Sequence, residues 1–291
     1  MLAWIAYFIV AVVWGSTYFA IAIGIESFTP YGMVAARYLL AGALALALNR
    51  LTKEELPSWS DTKHLMLQGA LLLAVSNALI TWAESRVASG VAAVLCSMTP
   101  LLYGLMGGER LEARKWAGLL LGLVGVGILV NPFGGVMNPL GVGAILLATL
   151  VWTWGTLHGR RHVKGHGLFG QVAVQMTTGG ILGLLLAPFT GGFLHHPLTL
   201  RAGLAVAYLM LFGSLIAYSA FAYLVRAWPP SRMGTYAYLN PVVAVFLGSV
   251  FLAEPFGLRV VIGMAVILAA VALVQMQRAP EVEGVEILQE G

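Results

Sequence analysis

Stretches of predominantly apolar residues follow one another along almost the whole chain, each close to the ~20 residues a helix needs to cross a bilayer. They fall at about 3–24, 30–48, 65–84, 88–107, 115–131, 140–158, 168–189, 202–225, 230–251 and 258–276. Backbone polar groups inside a bilayer must be satisfied within their own segment, so these stretches predict ten helices. Proline marks many of their ends, among them Pro30, Pro57, Pro132, Pro139, Pro188, Pro197, Pro229, Pro230 and Pro255. Charged residues make up only 10% of the 291, far below the ~25% of a soluble domain. The fold class is an all-α, multi-pass membrane protein.

Basic residues orient such a chain. With the N-terminus inside, the inner loops carry Arg50, Lys53, Lys63, Arg110, Arg114, Lys115, Arg160, Arg161, Lys164, Arg226, Arg232 and Arg278, whereas the outer loops carry Arg86, Arg201 and Arg259. This asymmetry follows the positive-inside rule and predicts that both termini are cytoplasmic. The net charge of +4 sits in those loops and points to no nucleic-acid partner. The first stretch lacks a basic leader and reads as a span rather than a cleaved signal peptide. Cys96 is the lone cysteine, so no intrachain disulfide forms. From Arg278 onward the tail is polar and acidic and reads as disordered.

The chain also repeats itself. The run from Pro30 to Arg37 is echoed by Leu168 to Gln175, Trp14-Gly15-Ser16 by Trp154-Gly155-Thr156, and Ser97-Met98-Thr99-Pro100 by Tyr238-Leu239-Asn240-Pro241. The offset drifts from 138 at Tyr31/Phe169 to 141 at Pro100/Pro241 and 145 at Glu109/Glu254, which makes the fourth span about one turn shorter than the ninth. Five spans is an odd number, so a second set of five is inverted relative to the first. The expected division is a first repeat at 1–131, an inverted second repeat at 132–277 and the tail at 278–291. Inverted repeats place a binding site between the halves near the bilayer midplane.

In the second span, Ala36-Arg37-Tyr38-Leu39-Leu40-Ala41 resembles the arginine-aromatic-leucine run of the EamA-type carriers of the drug/metabolite transporter superfamily. Each half also resembles the family's repeat ending, as Pro100, Glu109 and Gly118, Gly122, Gly125, and again as Pro241, Glu254 and Gly263. The resemblance covers residues 3–277. It implies ten transmembrane helices, as two inverted five-helix repeats around a central cavity, in the bacterial cytoplasmic (inner) membrane. It also implies transport by alternating access rather than catalysis, without a cofactor. Family members carry amino acids, other metabolites or nucleotide-sugars, and this chain looks most like the exporters of aromatic and neutral amino acids. Drug-like amines and organic acids are the alternative solutes, and a histidine-metal membrane enzyme is the alternative class. The implied partners are a small-molecule substrate and the lipid bilayer, with the protein a monomer or homodimer.

Candidate substrate-binding residues are the aromatic and small polar side chains of the central helices. These are Trp14, Ser16 and Thr17 in span one, Asn77 and Trp82 in span three, and Ser97 and Tyr103 in span four. Their counterparts are Trp154 and Thr156 in span six, Tyr218 and Tyr223 in span eight, and Tyr236, Tyr238 and Asn240 in span nine. Such faces suit small ligands, although helix packing and interfacial belts use the same residues. Arg37 lies about 10 Å below Pro30 at helical rise and needs a partner at that depth. The alternatives are a substrate carboxylate and a structural pair, and the family-wide motif favours the structural pair. Pro100 and Pro241 break the hydrogen-bond ladder and are candidate hinges.

Asp61 and all the glutamates fall in loops, at span ends or in the tail, with Glu26 and Glu84 nearest the membrane. An intramembrane acid is the usual carrier of a coupling proton, so an uncoupled facilitator is expected. Gly118, Gly122, Gly125 and Gly127 form a small-residue face suited to close packing within the molecule or to a dimer. His158, His162 and His166 recur every four residues, as on a metal-binding helix. Gly159, Gly165 and Gly167 interrupt that helix, so the row reads as a solvated loop with no metal.

Overall fold

The computed structural model describes residues 1–87, 92, 95–108, 110–130, 138–165, 167–251 and 257–276. Pro132, Glu109, His166, Glu254, Pro255, the junction at 131–132 and the tail from Arg278 lie outside the described residues.

Among the described residues, ten principal helices follow in order. The first five are α1 (Leu2–Gly24), α2 (Pro30–Thr52), α3 (Trp59–Glu84), α4 (Thr99–Met106) and α5 (Ala113–Val130). The others are α6 (Pro139–His162), α7 (Leu168–Leu186), α8 (Leu200–Ala227), α9 (Tyr236–Phe251) and α10 (Leu258–Gln275). Among the described residues, α1, α2, α3, α6, α7 and α8 are long and apolar enough to cross a membrane.

The helix starts follow local chemistry. Thr29 caps α2 by accepting from Gly32 N at 3.0 Å with Pro30 in the first turn, and Asn138 caps α6 on Leu140 and Gly141 with Pro139 beside it. The start of α3 comes six residues before the sequence expectation of 65. Its first turn is too polar for an apolar pattern to reveal, yet Ser58 caps it by accepting from Asp61 N at 3.1 Å.

Helices α2 and α7 pack together, as do α5 and α10, while α1 packs on α8 and α9, and α6 on α3 and α4. Exchanging the first five helices for the last five turns this set of pairings into itself. Two further features match. Gly69–Ser76 in α3 and Leu209–Ile216 in α8 wind as π-helix. Beside them, Asn77 Nδ2 donates to Leu72 O at 2.7 Å and Ser214 Oγ to Leu209 O at 3.0 Å, each five residues back.

The glycine face of α5 is used within the molecule. A Cβ on Gly118 would stand 2.7 Å from Val274, one on Gly122 2.5 Å from the Tyr238 ring, and one on Gly125 2.9 Å from Ile267. Gly127 has no such neighbour within 4 Å. Close backbone approach lets α5 and α10 bury Leu119, Val126, Ile267 and Val274 completely or nearly so.

Candidate functional site

A cavity of about 750 Å³, open solvent at its mouth included, lies between α1, α2, α3, α6, α8 and α9. Its walls come from the second half of α1 (Thr17, Tyr18, Ile21) and from α3 between Leu73 and Ile80. The cavity thus extends toward the end of the bundle where Gly24 and Glu84 lie. At the opposite limit stands an aromatic floor. The Trp14 ring lies 5.4 Å from Trp152, 5.0 Å from Phe221 and 5.2 Å from Tyr236, and its Nε1 donates to Gly213 O at 3.0 Å. Such edge-on and tilted contacts are preferred between aromatic quadrupoles.

Arg37 is buried, lines the cavity and donates from Nε to Ser214 Oγ at 2.5 Å. Its guanidinium lies 4.9 Å from the centroid of the Tyr38 ring. No carboxylate among the described residues pairs with it, and its terminal nitrogens make no hydrogen bond to a described residue. Gly213 makes the room: a Cβ there would stand 3.1 Å from Arg37 Nη2 and 3.1 Å from Thr17. The π-helical stretch of α8 thus supplies the serine that orients the arginine and the glycine that leaves its tip free. π-helical turns are frequent at functional sites.

The structure gathers seven of the expected residues around one space: Trp14, Thr17, Arg37, Asn77, Tyr218, Tyr236 and Asn240. The others lie elsewhere. Ser16 bonds Tyr208 Oη at 2.5 Å, and Trp82 lies beneath the Arg86 guanidinium at 3.7 Å. Tyr103 is fully buried against Gly234, Thr156 donates to Trp152 O, and Tyr223 packs on the core from outside the cavity. Tyr238 donates to Leu119 O at 2.5 Å with its ring against Gly122.

Trp154 is the main correction. It is 46% exposed on the outer face of α6, and Trp152 takes the cavity position instead. Two residues turn a helix by roughly 200°, so only one of these indoles can face inward. The offset of 138 at Tyr31/Phe169 pairs Trp14 with Trp152, and that was the signal to follow. Tyr18, Cys96, Thr149, Gly213 and Ser214 also line the cavity and carry no motif, while Tyr38 lines it as the aromatic of the arginine-aromatic-leucine run.

Pro100 lies in the first turn of α4, whereas Pro241 lies inside α9. Neither can donate to the carbonyl four residues back. Those two carbonyls are taken by hydroxyls: Thr99 Oγ1 donates to Cys96 O at 2.6 Å, and Ser97 Oγ donates to Ala237 O at 2.9 Å. Ser97 therefore joins α4 to α9 rather than facing a ligand.

Glu84 ends α3, as the sequence placed it, but both carboxylate oxygens are buried without a hydrogen-bond partner among the described residues. They lie within electrostatic reach of Tyr18 and Cys96, two cavity residues. The expectation that no acid is buried is therefore overturned, because the end of α3 is covered by Tyr18, Val87 and Ile145 and their neighbours. Among the described residues, no acid lines the cavity itself.

The histidine row differs too. Helix α6 runs unbroken through Gly159 to His162, since a side chain at 159 would collide with Gln68, and glycine keeps the two helices close. Beyond the aromatic floor, a second space of about 420 Å³ is lined by Gln68, Arg160, Gln171, Gln175 and Arg226, with Tyr218 and Phe221 between it and the first.

Known proteins extend these observations. The sequence pattern of the EamA-like transporter family matches residues 1–131 and 139–276. The uncharacterized inner membrane transporter YedA of Escherichia coli is 37% identical over 276 residues, covering 93% of this chain and 90% of its own. Protein PecM of Dickeya dadantii is 26% identical over 269 residues, covering 90% and 89%. A solved crystal structure superposes with a TM-score of 0.77 at 20% identity over 94% of this chain and 96% of that one, a likeness of fold.

Proposed function

This chain, a multi-span membrane transporter rather than an enzyme, belongs to the EamA-like transporter family, and on that premise we propose that it exports small carboxylated metabolites. Neutral and aromatic amino acids fit best. The observation that carries the reading is Arg37, a cation facing the cavity beside an aromatic floor with no acid among the described residues to neutralise it. A carboxylate on the guanidinium, with an apolar side chain against Trp14, Trp152 and Tyr236, satisfies both surfaces. The structural role that the motif suggested for Arg37 is thereby given up in favour of substrate binding. Organic acids without an amino group are the second reading, favoured by the same arginine. Amines are disfavoured, because the one charge that the described residues bring to the cavity wall is positive.

Transport proceeds by alternating access. The aromatic floor separates the cavity from the second, amide- and arginine-lined space, and rocking of the two halves would open one as it closes the other. Both termini are cytoplasmic and the membrane is the bacterial inner membrane, supported by the basic-residue asymmetry and by the name of the relative YedA. The carrier is an uncoupled facilitator, a reading supported by the lack of an acid among the described residues that line the cavity. The glycine face of α5 is spent on α9 and α10, which supports a monomer as the working unit.

The test is counterflow in proteoliposomes loaded with unlabelled amino acids and offered labelled phenylalanine, threonine and methionine. Uptake of phenylalanine but not of phenylalaninamide supports the carboxylate reading. Equal transport of the amide would remove Arg37 from the substrate site.

A further inference from the structure

Three histidines from two helices converge at the far end of the bundle from the cavity mouth. His64 lies in the second turn of α3, and His158 and His162 occupy successive turns at the end of α6. One ring nitrogen from each lies within 4.8 Å of the other two. His64 Nδ1 and His158 Nε2 are 3.0 Å apart, which requires a shared proton when nothing else is bound. The His162 Nδ1 hydrogen is engaged by the carbonyl of His158 at 2.8 Å. That bond fixes the tautomer and leaves His162 Nε2 as a bare lone pair, the usual way a backbone carbonyl prepares a metal-binding imidazole. Trp154 stacks on His158 at 5.0 Å and holds that ring in place.

We propose that His64, His158 and His162 form a site for one borderline-soft divalent transition-metal ion such as Zn²⁺. Bonds of about 2.1 Å in tetrahedral geometry set ligand nitrogens about 3.4 Å apart, so small rotations of the rings close the site. The ion takes the place of the proton between His64 and His158, and the ring that held it carries it on its far nitrogen. Three imidazoles leave a fourth position for water. Asp61, one turn before His64, supplies negative charge within reach of that ring. Arg161 is the adverse neighbour, but its guanidinium is turned to Met106 O at 3.0 Å.

The site bridges α3, in the first matched segment of the chain, and α6, in the second. A bound ion therefore ties the two halves together at one end. On the alternating-access reading above, and only on it, Zn²⁺ slows flux by holding that end closed.

The binding claim is tested without transport. Protein purified through a tag other than polyhistidine is titrated with Co²⁺ and then Zn²⁺, followed by visible absorption and by equilibrium dialysis. One equivalent of Co²⁺ should give the intense visible bands of a tetrahedral complex, displaced by Zn²⁺. Affinity should fall at least tenfold in His64→Ala, His64→Gln and His158→Ala, and stay unchanged in His195→Ala, which alters an exposed histidine between α7 and α8. No stoichiometric binding by the wild-type protein overturns the site. Wild-type affinity in both His64 variants overturns it as well, leaving only a pair on one helix. If binding behaves as stated and Zn²⁺ leaves counterflow untouched, the metal site stands and the clamp on the halves falls.

Discussion

Ser97 donates its hydroxyl to the carbonyl of Ala237 at 2.9 Å, and that carbonyl is the one Pro241 leaves without an amide. A break in α9 is thus repaired by a side chain from the turn before α4. Inside a bilayer an unrepaired carbonyl finds no water, so this bond fixes how α4 and α9 meet at the cavity wall.

Replacing Ser97 should therefore weaken the fold rather than the binding of solute. Ser97→Ala leaves a buried acceptor unpaired, at a cost of about 1–3 kcal/mol. A lower apparent melting temperature in detergent is expected, with Ser97→Thr recovering most of it. An unchanged melting curve for the alanine variant would mean that the carbonyl has another partner.

Trp14 and Trp152 should be required for flux and Trp154 should not. Trp14→Ala and Trp152→Ala each remove part of the cavity floor, and counterflow is expected to be lost while the protein remains monodisperse. Trp154→Ala removes an exposed indole from the outer face of α6 and should transport normally. The opposite pattern would place the wrong face of α6 against the cavity.

Arg37→Gln should raise the KM for carboxylated substrates by about tenfold to a hundredfold, the loss of a charge-assisted contact of roughly 1.5–3 kcal/mol. Ser214→Ala, which frees the guanidinium from its one protein hydrogen bond, should cost less. Direct binding by calorimetry separates the two effects from folding. Equal affinity in Arg37→Gln and wild-type protein would return the arginine to a structural role.

Glu84 tests the absence of coupling. In an uncoupled carrier a pH gradient across proteoliposomes leaves counterflow unchanged, and Glu84→Gln carries solute like the wild type. Flux driven by the gradient and abolished in Glu84→Gln would show instead that the buried carboxyl passes protons.

Gly122→Val should destabilise by about 1–3 kcal/mol, since the added side chain is driven into the Tyr238 ring, whose hydroxyl is anchored on Leu119. The same change at Gly127, where no atom lies within 4 Å, should be tolerated. Melting temperatures of the two variants give the comparison.

That this chain spans a membrane many times, and that its helices start where capping side chains and prolines stand, is legible in the order of its amino acids. Those outcomes depend on composition and on contacts within a few residues, which a linear reading captures. The offset of 138 that pairs Trp14 with Trp152 was legible in the sequence as well. Tertiary structure decided which face of each helix turns inward. Trp152 rather than Trp154 reaches the cavity, Ser97 and Tyr238 hold helices together, and Glu84 turns its carboxylate into the protein. It also brought His64 to His158 across a sequence separation of 94 positions. In a helix whose every face is apolar, periodicity no longer distinguishes lipid from neighbour, so the rotation of each helix about its own axis is set only by the helices packed around it.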